Sequence, residues 1–448
     1  MVNNFKKYYL IGIGGVGMSS IAIYLLNKGF EVYGYDIKEN ESINNLEHNG
    51  AKIFFNLKLQ EIPHHIKNNN TIIIYSSAIK KEQKILSFFI RNEFIIFKRS
   101  KFLSKIIKNT YSIAIAGTHG KTTTTAILSH LFLKSKISFT SFIGGFLNQI
   151  NSNIIINGDE YSIVEADEYD KSFLDLKPNM ACITSVDSDH FDTYKNLENI
   201  KESFVEFSNS VSDCLVVERD SGLNGRKYSI YGDADYFLKN ISQTKNGYEF
   251  DIYFNNNNIK NVKFNCLGIH NLSNALGAFA IGSEMGLDKI NLAKNLSSFS
   301  GVKRRFEIIY ESENQIFIDD YAHHPNEIKS FYYSLDKKFP NSKKCVFFQP
   351  HLFTRTRDFM KEFAEVLNYF DKVYLLNIYP ARENPIDGIN SKKLASLINN
   401  SKVKLIDKSE ILDLVLCSKE KVISFLGAGD IADQVKIVKK YYNNYESI

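Results

Sequence analysis

Two glycine-rich segments of the sequence have the spacing of phosphate-binding turns. The first, residues 12–17, has the pattern G-x-G-x-x-G between an apolar run and a helical stretch, and Asp36 ends the next apolar run. Backbone amides at such a turn can bind a pyrophosphate, and an acid after the second strand can accept hydrogen bonds from a ribose. The segment predicts a nucleotide diphosphate site. A turn that serves only helix packing, or the turn of a nicotinamide dehydrogenase, has the same pattern.

The second segment, residues 116–123, follows the apolar run 112–116 and contains Gly120, Lys121 and Thr122 in succession. This order supplies backbone amides around phosphates, an ammonium for the outer phosphates and a hydroxyl for Mg²⁺. Ile115 stands where the usual P-loop pattern has its first glycine, so we expect a shorter loop. We predict that this turn binds ATP; a turn that only caps a helix is the alternative.

Two acidic segments, residues 165–168 and 187–190, follow apolar runs in the same part of the chain. Mg²⁺ prefers hard oxygen ligands, and acids at strand ends beside a phosphate turn can hold it. The acids of the two segments are therefore candidate Mg²⁺ ligands, and His190 beside them is another. Taken singly, each acid is more often a helix cap or a solvated charge.

Apolar runs that alternate with helical stretches must position these segments. They lie at 8–13, 31–35, 52–55, 71–75 and 94–97, then at 112–116, 162–164, 181–184 and 214–217, and after the basic cluster 303–305 at 315–318, 345–348, 373–376 and 422–426. Such spacing indicates parallel sheets covered by helices. We predict an α/β protein with three domains: a Rossmann-like domain at 1–108, a P-loop ATPase-like mononucleotide-binding domain at 109–302 and a second Rossmann-like domain at 303–448.

Composition narrows the class of protein. With 448 residues, 44% of them hydrophobic, the chain is long enough for about three cores. The net charge of +5 is spread along the chain, and so the sequence does not indicate a basic surface that would bind nucleic acid. Five widely spaced cysteines fit reduced thiols in a cytosol. The uncharged run 8–27 contains four glycines and reads as strand, turn and helix, so we expect a cytoplasmic protein without stable membrane insertion.

Ordered motifs along nearly the whole chain resemble those of the Mur ligase family, whose members use ATP to drive the formation of amide bonds. They are Ser-Ser-Ala-Ile at 76–79, Gly-Thr-His-Gly-Lys-Thr-Thr at 117–123, Glu-Ala-Asp-Glu at 165–168, Asp-His-Phe-Asp at 189–192, Gly-Ile-His-Asn at 268–271, Gly-Val-Lys-Arg-Arg-Phe at 301–306, Asp-Asp-Tyr-Ala-His-His-Pro at 319–325, Phe-Gln-Pro-His at 348–351 and Gly-Ala-Gly-Asp at 427–430. The opening turn, His119 and the 320–325 segment are similar to the member that adds L-alanine, and also to the member that recycles murein tripeptide onto the same sugar nucleotide.

The resemblance implies that the first domain binds UDP-N-acetylmuramate, the middle domain ATP and the C-terminal domain the amino acid, L-alanine. The residues that it implies for the UDP group are Gly12, Gly14, Gly15, Gly17, Asp36, Ser76 and Ser77. For ATP they are Gly117, Thr118, His119, Gly120, Lys121, Thr122 and Thr123 at the phosphates, His270 and Asn274 at the adenine, and Arg304 and Asp320 from the closing C-terminal domain. Tyr321, His323, His351 and Arg355 would line the amino-acid side, and Thr122, Glu165 and His190 would hold Mg²⁺.

The reaction that follows from this resemblance makes the muramate carboxylate an acyl phosphate, which the amine then attacks. Lys121 and Mg²⁺ would neutralise the developing charge, and His323 is the candidate base for the amine. Leu352 departs from the family, because an Arg expected to hold the incoming carboxylate usually follows the Phe-Gln-Pro-His segment. The alternatives are the tripeptide-recycling activity, a folylpolyglutamate synthetase and, from another class, a nucleotide-binding regulator without catalysis.

Overall fold

The structure is a computed structural model that describes residues 6–55, 62–67, 70–187, 197–381, 383–399 and 401–445. It contains three sheets that follow one another along the chain, each with helices packed on it. The predicted α/β class with three sheet-containing units is confirmed. The sheets span residues 7–98, 111–264 and 307–426. The domain limits at 108 and 302 fall between the sheets and stay a prediction.

The N-terminal unit alternates strands and helices. Its elements are β1 (Lys7–Ile11), α1 (Val16–Asn27), β2 (Glu31–Asp36), α2 (Glu41–His48), β3 (Lys52–Phe55), β4 (Thr71–Tyr75), α3 (Lys84–Arg91), β5 (Ile95–Lys98) and α4 (Arg99–Ile107). The five strands are parallel in the order β3-β2-β1-β4-β5. The order reverses between β1 and β4, and a crevice opens at their carboxyl ends, where ligands of such sheets bind.

The middle unit is built on ten strands. Its elements are β6 (Tyr111–Ala116), α5 (Lys121–Lys134), β7 (Phe139–Leu147), β8 (Ser152–Ile156), β9 (Tyr161–Ala166), β10 (Met180–Ile183), α6 (Leu197–Asn209), β11 (Cys214–Glu218), β12 (Arg226–Ser229), β13 (Tyr236–Gln243), β14 (Tyr248–Phe254), β15 (Asn257–Phe264), α7 (Ile269–Glu284) and α8 (Lys289–Leu296). Strand β6 lies between β9 and β10, parallel to both. The ends of these three strands therefore bring the second glycine turn, the acidic segment 165–168 and Asp187 to one edge.

The C-terminal unit is a six-stranded sheet in the order β16-β17-β21-β18-β19-β20, in which only the edge strand β16 is antiparallel. Its elements are β16 (Glu307–Glu311), β17 (Ile316–Asp320), α9 (Pro325–Lys338), β18 (Lys344–Phe348), α10 (Phe353–Asp358), α11 (Met360–Leu367), β19 (Lys372–Leu375), α12 (Ser391–Ala395), β20 (Val403–Leu405), α13 (Ile411–Leu416), β21 (Val422–Leu426) and α14 (Ile431–Tyr445). The loops after β17 and β18 face the middle unit.

Each run that the sequence predicted as a strand is a strand, with bounds that differ by at most two residues. The strands that it did not predict are β7, β8, β12, β13, β14, β15, β16 and β20. Several of these carry polar or charged residues at edge positions, which weakens the apolar signal. The antiparallel hairpin of β14 and β15 turns at Asn255 and Asn256, both with left-handed φ (44° and 61°), which is the turn that Asn favours.

One hydrophobic core joins the first two units. It contains Ile21 and Leu25 of α1 together with Phe142 of β7 and Ile154 of β8. Within this contact Asn153, which is 1% exposed, donates hydrogen bonds to the Val16 carbonyl (2.6 Å) and the Ser19 hydroxyl (3.0 Å). Because close-packed cores resist deformation, the two glycine turns are held in a defined relation to each other.

Candidate active site

A cavity of about 800 Å³ opens between the three sheets, and both glycine turns line it. The first unit contributes Gly15, Gly17, Ser76 and Ser77, the middle unit Thr118, His119, Gly120, Lys121, Thr122 and Glu165, and the C-terminal unit Arg304, Tyr321, His323, His351 and Arg355. The structure thus brings most of the predicted site residues together. Gly12, Gly14 and Asp36 lie behind the turn and do not line the cavity.

The side chain of Asp36 stabilises the first turn by accepting hydrogen bonds from backbone amides. Its Oδ2 accepts a hydrogen bond from the Gly14 amide (2.7 Å), and its Oδ1 accepts one from the Ile37 amide (2.7 Å). Gly12 has a φ of +80°, and a Cβ there would lie 3.2 Å from that of Ser76. The glycine and the acid are therefore needed for the shape of this turn, and the predicted contact of Asp36 with a ribose stays a prediction.

The second turn has no room for side chains at its glycines. Gly120 has a φ of +85°, and a Cβ there would lie 2.3 Å from Oδ1 of Asn274 in α7. Gly117 has a φ of +130° and faces the Thr184 hydroxyl in the same way. The Thr118 hydroxyl lies 3.0 Å from that of Ser185, and it accepts a hydrogen bond from the Asp187 amide (2.9 Å). This packing holds the turn against β10 and α7.

Lys121 is paired with a buried acid that the sequence interpretation did not assign. Its Nζ lies 2.6 and 2.9 Å from the two carboxylate oxygens of Glu168 and donates to the Gly117 carbonyl at 2.6 Å. The side chains of Lys121 and Glu168 are 15% and 1% exposed. Burial alone would lower the pKa of Lys121, but Glu168 and the neighbouring acids raise it above its usual value. The ammonium is therefore charged at neutral pH beside the second glycine turn, residues 116–123, which we call the ATP turn because ATP is its predicted ligand.

Glu165 and Thr122 place two hard oxygen donors together at the cavity wall. The Thr122 hydroxyl donates to Oε2 of Glu165 (3.1 Å), and the other carboxylate oxygen accepts from the Gly144 amide. Burial raises the pKa of Glu165. One carboxylate and one hydroxyl beside a phosphate turn fit Mg²⁺, which usually keeps several waters and phosphate oxygens as its other ligands. His190, the third predicted ligand, lies outside the described residues, and those described form no cluster of three metal-ligating side chains.

A second cavity, about 240 Å³ in volume, adjoins the first. Thr123, His270, Asn274 and Asp320, all predicted for ATP, line it. Both oxygens of Asp320 accept backbone hydrogen bonds at 2.7 Å, from Phe306 and Ala322, and burial raises its pKa to about 6. Four residues border both cavities and so separate them: His119, Gly120, Arg305 and Glu327.

The residues predicted for the amino acid lie in two loops of the C-terminal unit and in α10. The His323 ring lies 5.3 Å from that of Tyr321 and 5.8 Å from that of His351. Arg355 is only 5% exposed, and its guanidinium lies 3.4 Å from Nδ1 of His351. Leu352 also lines the main cavity, is 3% exposed and has a φ of +71°, which is unusual for a residue with a branched side chain.

Family models match three consecutive stretches of the chain. The model described as Mur ligase family, catalytic domain, matches residues 7–111, the Mur ligase middle domain matches 115–282, and the Mur ligase, glutamate ligase domain, matches 304–429. The chain belongs to the Mur ligase family. Members of this family are ATP-dependent, amide-bond-forming enzymes. The prediction from the sequence that this chain is a ligase that uses ATP is therefore confirmed.

Relatives resemble this Mur ligase over its full length. The UDP-N-acetylmuramate–L-alanine ligase of Christiangramia forsetii is 42% identical over 443 residues, which covers 98% of each chain. The enzyme of the same name from Caldicellulosiruptor bescii is 37% identical, with 97% of this chain and 98% of that one covered. A solved UDP-N-acetylmuramate–alanine ligase from Thermotoga maritima has a TM-score of 0.83 at 27% identity, with coverage of 98% and 99%.

A murein peptide ligase from Psychrobacter arcticus shares the fold of this Mur ligase, with a TM-score of 0.72 at 20% identity and coverage of 97% and 98%. At this identity the likeness concerns the fold alone and not the substrate. In the described part of the chain, no helix combines the length and the apolarity that a bilayer crossing requires.

Arg304 and Arg305 of this Mur ligase both line the main cavity, and of the two only Arg305 also lines the second cavity. The Arg304 guanidinium donates to Asp319 (3.2 Å) and to the Gly427 carbonyl, both within the C-terminal unit. Arg305 stacks 5.0 Å from the Tyr321 ring centroid and borders both cavities. The sequence marked the whole cluster 303–305 but assigned the role to Arg304. Two adjacent arginines look alike in sequence, so the sequence does not tell which of them borders both cavities.

Arg99 is a second residue that sequence reasoning missed. It lies at the start of α4, lines the main cavity and approaches the first turn so closely that a Cβ on Gly17 would lie 2.7 Å from its guanidinium. Its NH2 is 3.7 Å from Asp167 of the middle unit. No glycine pattern or acidic cluster adjoins Arg99 in the sequence, so only the folded chain places this cation beside the predicted diphosphate site.

Proposed function

We propose that this Mur ligase joins L-alanine to the lactyl carboxylate of UDP-N-acetylmuramate with ATP, as a step in peptidoglycan precursor synthesis. The observation that carries the proposal is the single cavity lined by a glycine turn of the Rossmann-like unit and by the ATP turn. Relatives at 36–42% identity over the whole chain that bear the L-alanine ligase name favour L-alanine over the tripeptide.

The first step in this proposal activates the carboxylate, which is a poor acyl donor at neutral pH. A carboxylate oxygen of the muramate attacks the γ-phosphorus of ATP, the bond from that phosphorus to the bridging oxygen breaks, and the products are an acyl phosphate and ADP. Lys121, charged and beside the turn, neutralises the developing negative charge, and Arg305 adds a second cation from the C-terminal unit. Thr122 and Glu165, with His190, would hold Mg²⁺, which would supply further charge neutralisation at the phosphates.

In the second step the amine of L-alanine attacks the acyl carbon, and phosphate leaves. The amine must first lose a proton, and His323 on the cavity wall is the proposed base. Arg355 and His351, which line the same cavity, are the proposed ligands of the amino-acid carboxylate. Since an acyl phosphate hydrolyses readily, enclosure by all three units excludes water from it.

Phosphate release from ATP tests this function. The purified protein is incubated with UDP-N-acetylmuramate and either L-alanine or the murein tripeptide. We expect release that depends on both the sugar nucleotide and L-alanine. Release with the tripeptide alone would make the protein the recycling ligase, and no amine-dependent turnover at all would leave a nucleotide-binding regulator.

We also propose a cytoplasmic location. All five cysteines are free thiols, and burial raises the pKa of four of them, Cys182, Cys214, Cys266 and Cys345. Unpaired, weakly reactive thiols agree with a reducing compartment. Fractionation of cells that produce the protein, followed by immunoblotting, should find it with the cytoplasmic markers.

A further inference from the structure

Glu327 occupies the wall between the two cavities and touches the proposed catalytic groups on both sides. It is the third residue of α9, and its side chain is 18% exposed. Its Oε1 lies 3.1 Å from Nδ1 of His119 in the ATP turn. Its Oε2 accepts hydrogen bonds from the backbone amides of His323 (3.0 Å) and His324 (3.2 Å) and lies 3.4 Å from Nδ1 of His323.

Helix capping explains only part of this arrangement. A Glu at this position usually bonds the amide of the N-cap residue, which here is His324. That role uses one carboxylate oxygen and would be the same anywhere on the surface. It accounts neither for the contact with His119, which is 208 residues away in sequence, nor for the contact with the His323 ring.

The His323 ring is held by two acceptors on one nitrogen. Its Nδ1 lies 2.9 Å from the Tyr321 carbonyl and 3.4 Å from the Glu327 carboxylate. A nitrogen that faces only acceptors carries the proton, and so the lone pair of the neutral imidazole is on Nε2. A carboxylate beside Nδ1–H also stabilises the imidazolium that forms when Nε2 takes up a proton, as in other carboxylate–histidine pairs.

The charged surroundings keep Glu327 ionised. Burial alone would raise its pKa, but His323, His119 and Arg305 lower the pKa well below the usual range of a glutamate. The groups that face the His323–Glu327 pair are Tyr321 on the same loop, His351 from the loop after β18, Arg355 of α10, His324 at the start of α9, His119 of the ATP turn, Arg305 of the basic cluster and Asp320 of β17.

We infer that Glu327 is a positioning residue for His323: its carboxylate holds the imidazole with the proton on Nδ1, so that Nε2 takes the proton of the incoming ammonium. The inference rests on the proposed function. The ammonium of L-alanine gives one proton to Nε2, and the ring becomes an imidazolium bound to Glu327. The freed lone pair forms the new C–N bond as the bond to phosphate breaks, and the departing phosphate takes the second proton that the nitrogen must lose. Because the other oxygen contacts His119, the same carboxylate links this base to the ATP turn.

The test is Glu327→Gln, which keeps an acceptor for the helix cap but removes the charge. Glu410→Gln is the matched control, since Glu410 holds the same place in the capping box of the short helix Lys408–Glu410 without lining either cavity. Each protein is assayed with L-alanine and, separately, with hydroxylamine, an amine that is largely neutral at pH 7 and needs no base to attack an acyl phosphate.

We expect Glu327→Gln to lower kcat/KM for L-alanine at pH 7 by about 10- to 100-fold, part of the 10²–10⁴ that a general base contributes, while hydroxylamine turnover changes little. The deficit with L-alanine should shrink as the pH rises and more of the amine is neutral in solution. The control should match the wild type in both assays.

Other results would overturn the inference. An equal loss with both amines would mean a structural role only, and an unchanged rate with L-alanine would mean that another group takes the proton. If Glu327→Gln does not fold, His323→Asn decides in its place, with the same selective loss expected and an equal loss again contrary. A wild-type protein that releases no phosphate with L-alanine would instead contradict the proposed function.

Discussion

At the scale of single residues, Lys121 and Glu168 form one buried unit. Removing only the lysine would leave a carboxylate that is 1% exposed without its cation, which typically costs about 3–5 kcal/mol. A loss of activity in Lys121→Ala would therefore mix a chemical effect with a stability effect. The double variant Lys121→Ala/Glu168→Gln separates them, because it removes both charges together.

We expect Lys121→Ala to lower kcat by at least about 10²–10³-fold, because it removes the cation that faces the transferred phosphoryl group. Its melting temperature should also fall. In the double variant the melting temperature should recover toward that of the wild type while kcat stays low. Phosphate release and thermal unfolding measure the two effects, and ligation at nearly the wild-type rate in either variant would refute the role of Lys121.

Leu352 stands where the resemblance to the Mur ligases predicts an Arg on the amino-acid side. It lies three positions before Arg355 and lines the same cavity. Leu352→Arg should add a cation for the carboxylate of L-alanine and lower KM by about tenfold, which corresponds to about 1.4 kcal/mol. Leu352→Met is the control for a change of shape without charge. An unchanged or higher KM for the Arg variant would show that Arg355 and His351 bind the carboxylate unaided.

At the scale of elements, the ATP turn depends on how α7 packs against it. Gly120→Ala must adopt a left-handed φ, which costs about 1–2 kcal/mol, and also displace Asn274. Gly286, just after α7, has a similar φ of +81° with nothing within 4 Å of a Cβ, so Gly286→Ala has the strain without the clash. We expect only Gly120→Ala to lose ATP binding, measured by calorimetry. Equal affinities in the two variants would contradict this packing argument.

At the scale of the whole molecule, one surface acid ties the three units together. Glu41 of α2 lies 3.4 Å from Lys303 and 3.4 Å from Lys436 of α14, and it accepts a hydrogen bond from Asn151 at 3.3 Å. The first two units share a core, whereas the hydrophobic clusters of the third are largely its own. The C-terminal unit is therefore the part that can move when substrates enter.

The position of the C-terminal unit should depend on salt and on Glu41. Exposed ion pairs weaken as the Debye length falls to about 3 Å at 1 M salt, so the radius of gyration from X-ray scattering should increase. Glu41→Gln should cause the same increase at low salt. Burial raises the pKa of Glu41, but Lys303 and Lys436 lower it, and the net pKa lies below the usual value of a glutamate. The contacts of Glu41 are therefore present above the usual glutamate pKa and are lost as the pH falls through the lowered pKa.

The control for this prediction is Asp159→Asn. Asp159 pairs with Lys28 at 3.6 Å and joins only the first two units, which already share a core. Its loss should leave the radius of gyration unchanged. If Glu41→Gln also has the wild-type radius at every salt concentration, the three-unit contact does not hold the C-terminal unit in place.

The sequence alone determined the parallel strands, the two phosphate turns and the family, because these depend on local patterns: apolar runs, glycines at fixed spacing and a lysine that follows them. The tertiary structure decided what depends on contacts between distant segments. It placed Arg305 at the border of both cavities, brought Arg99 to the first turn, paired Lys121 with Glu168 and placed Glu327 between His119 and His323. No local pattern records these contacts, because their partners lie far apart in the sequence: Arg99 and Lys121 meet their partners within one unit, and Glu327 meets His119 across two units.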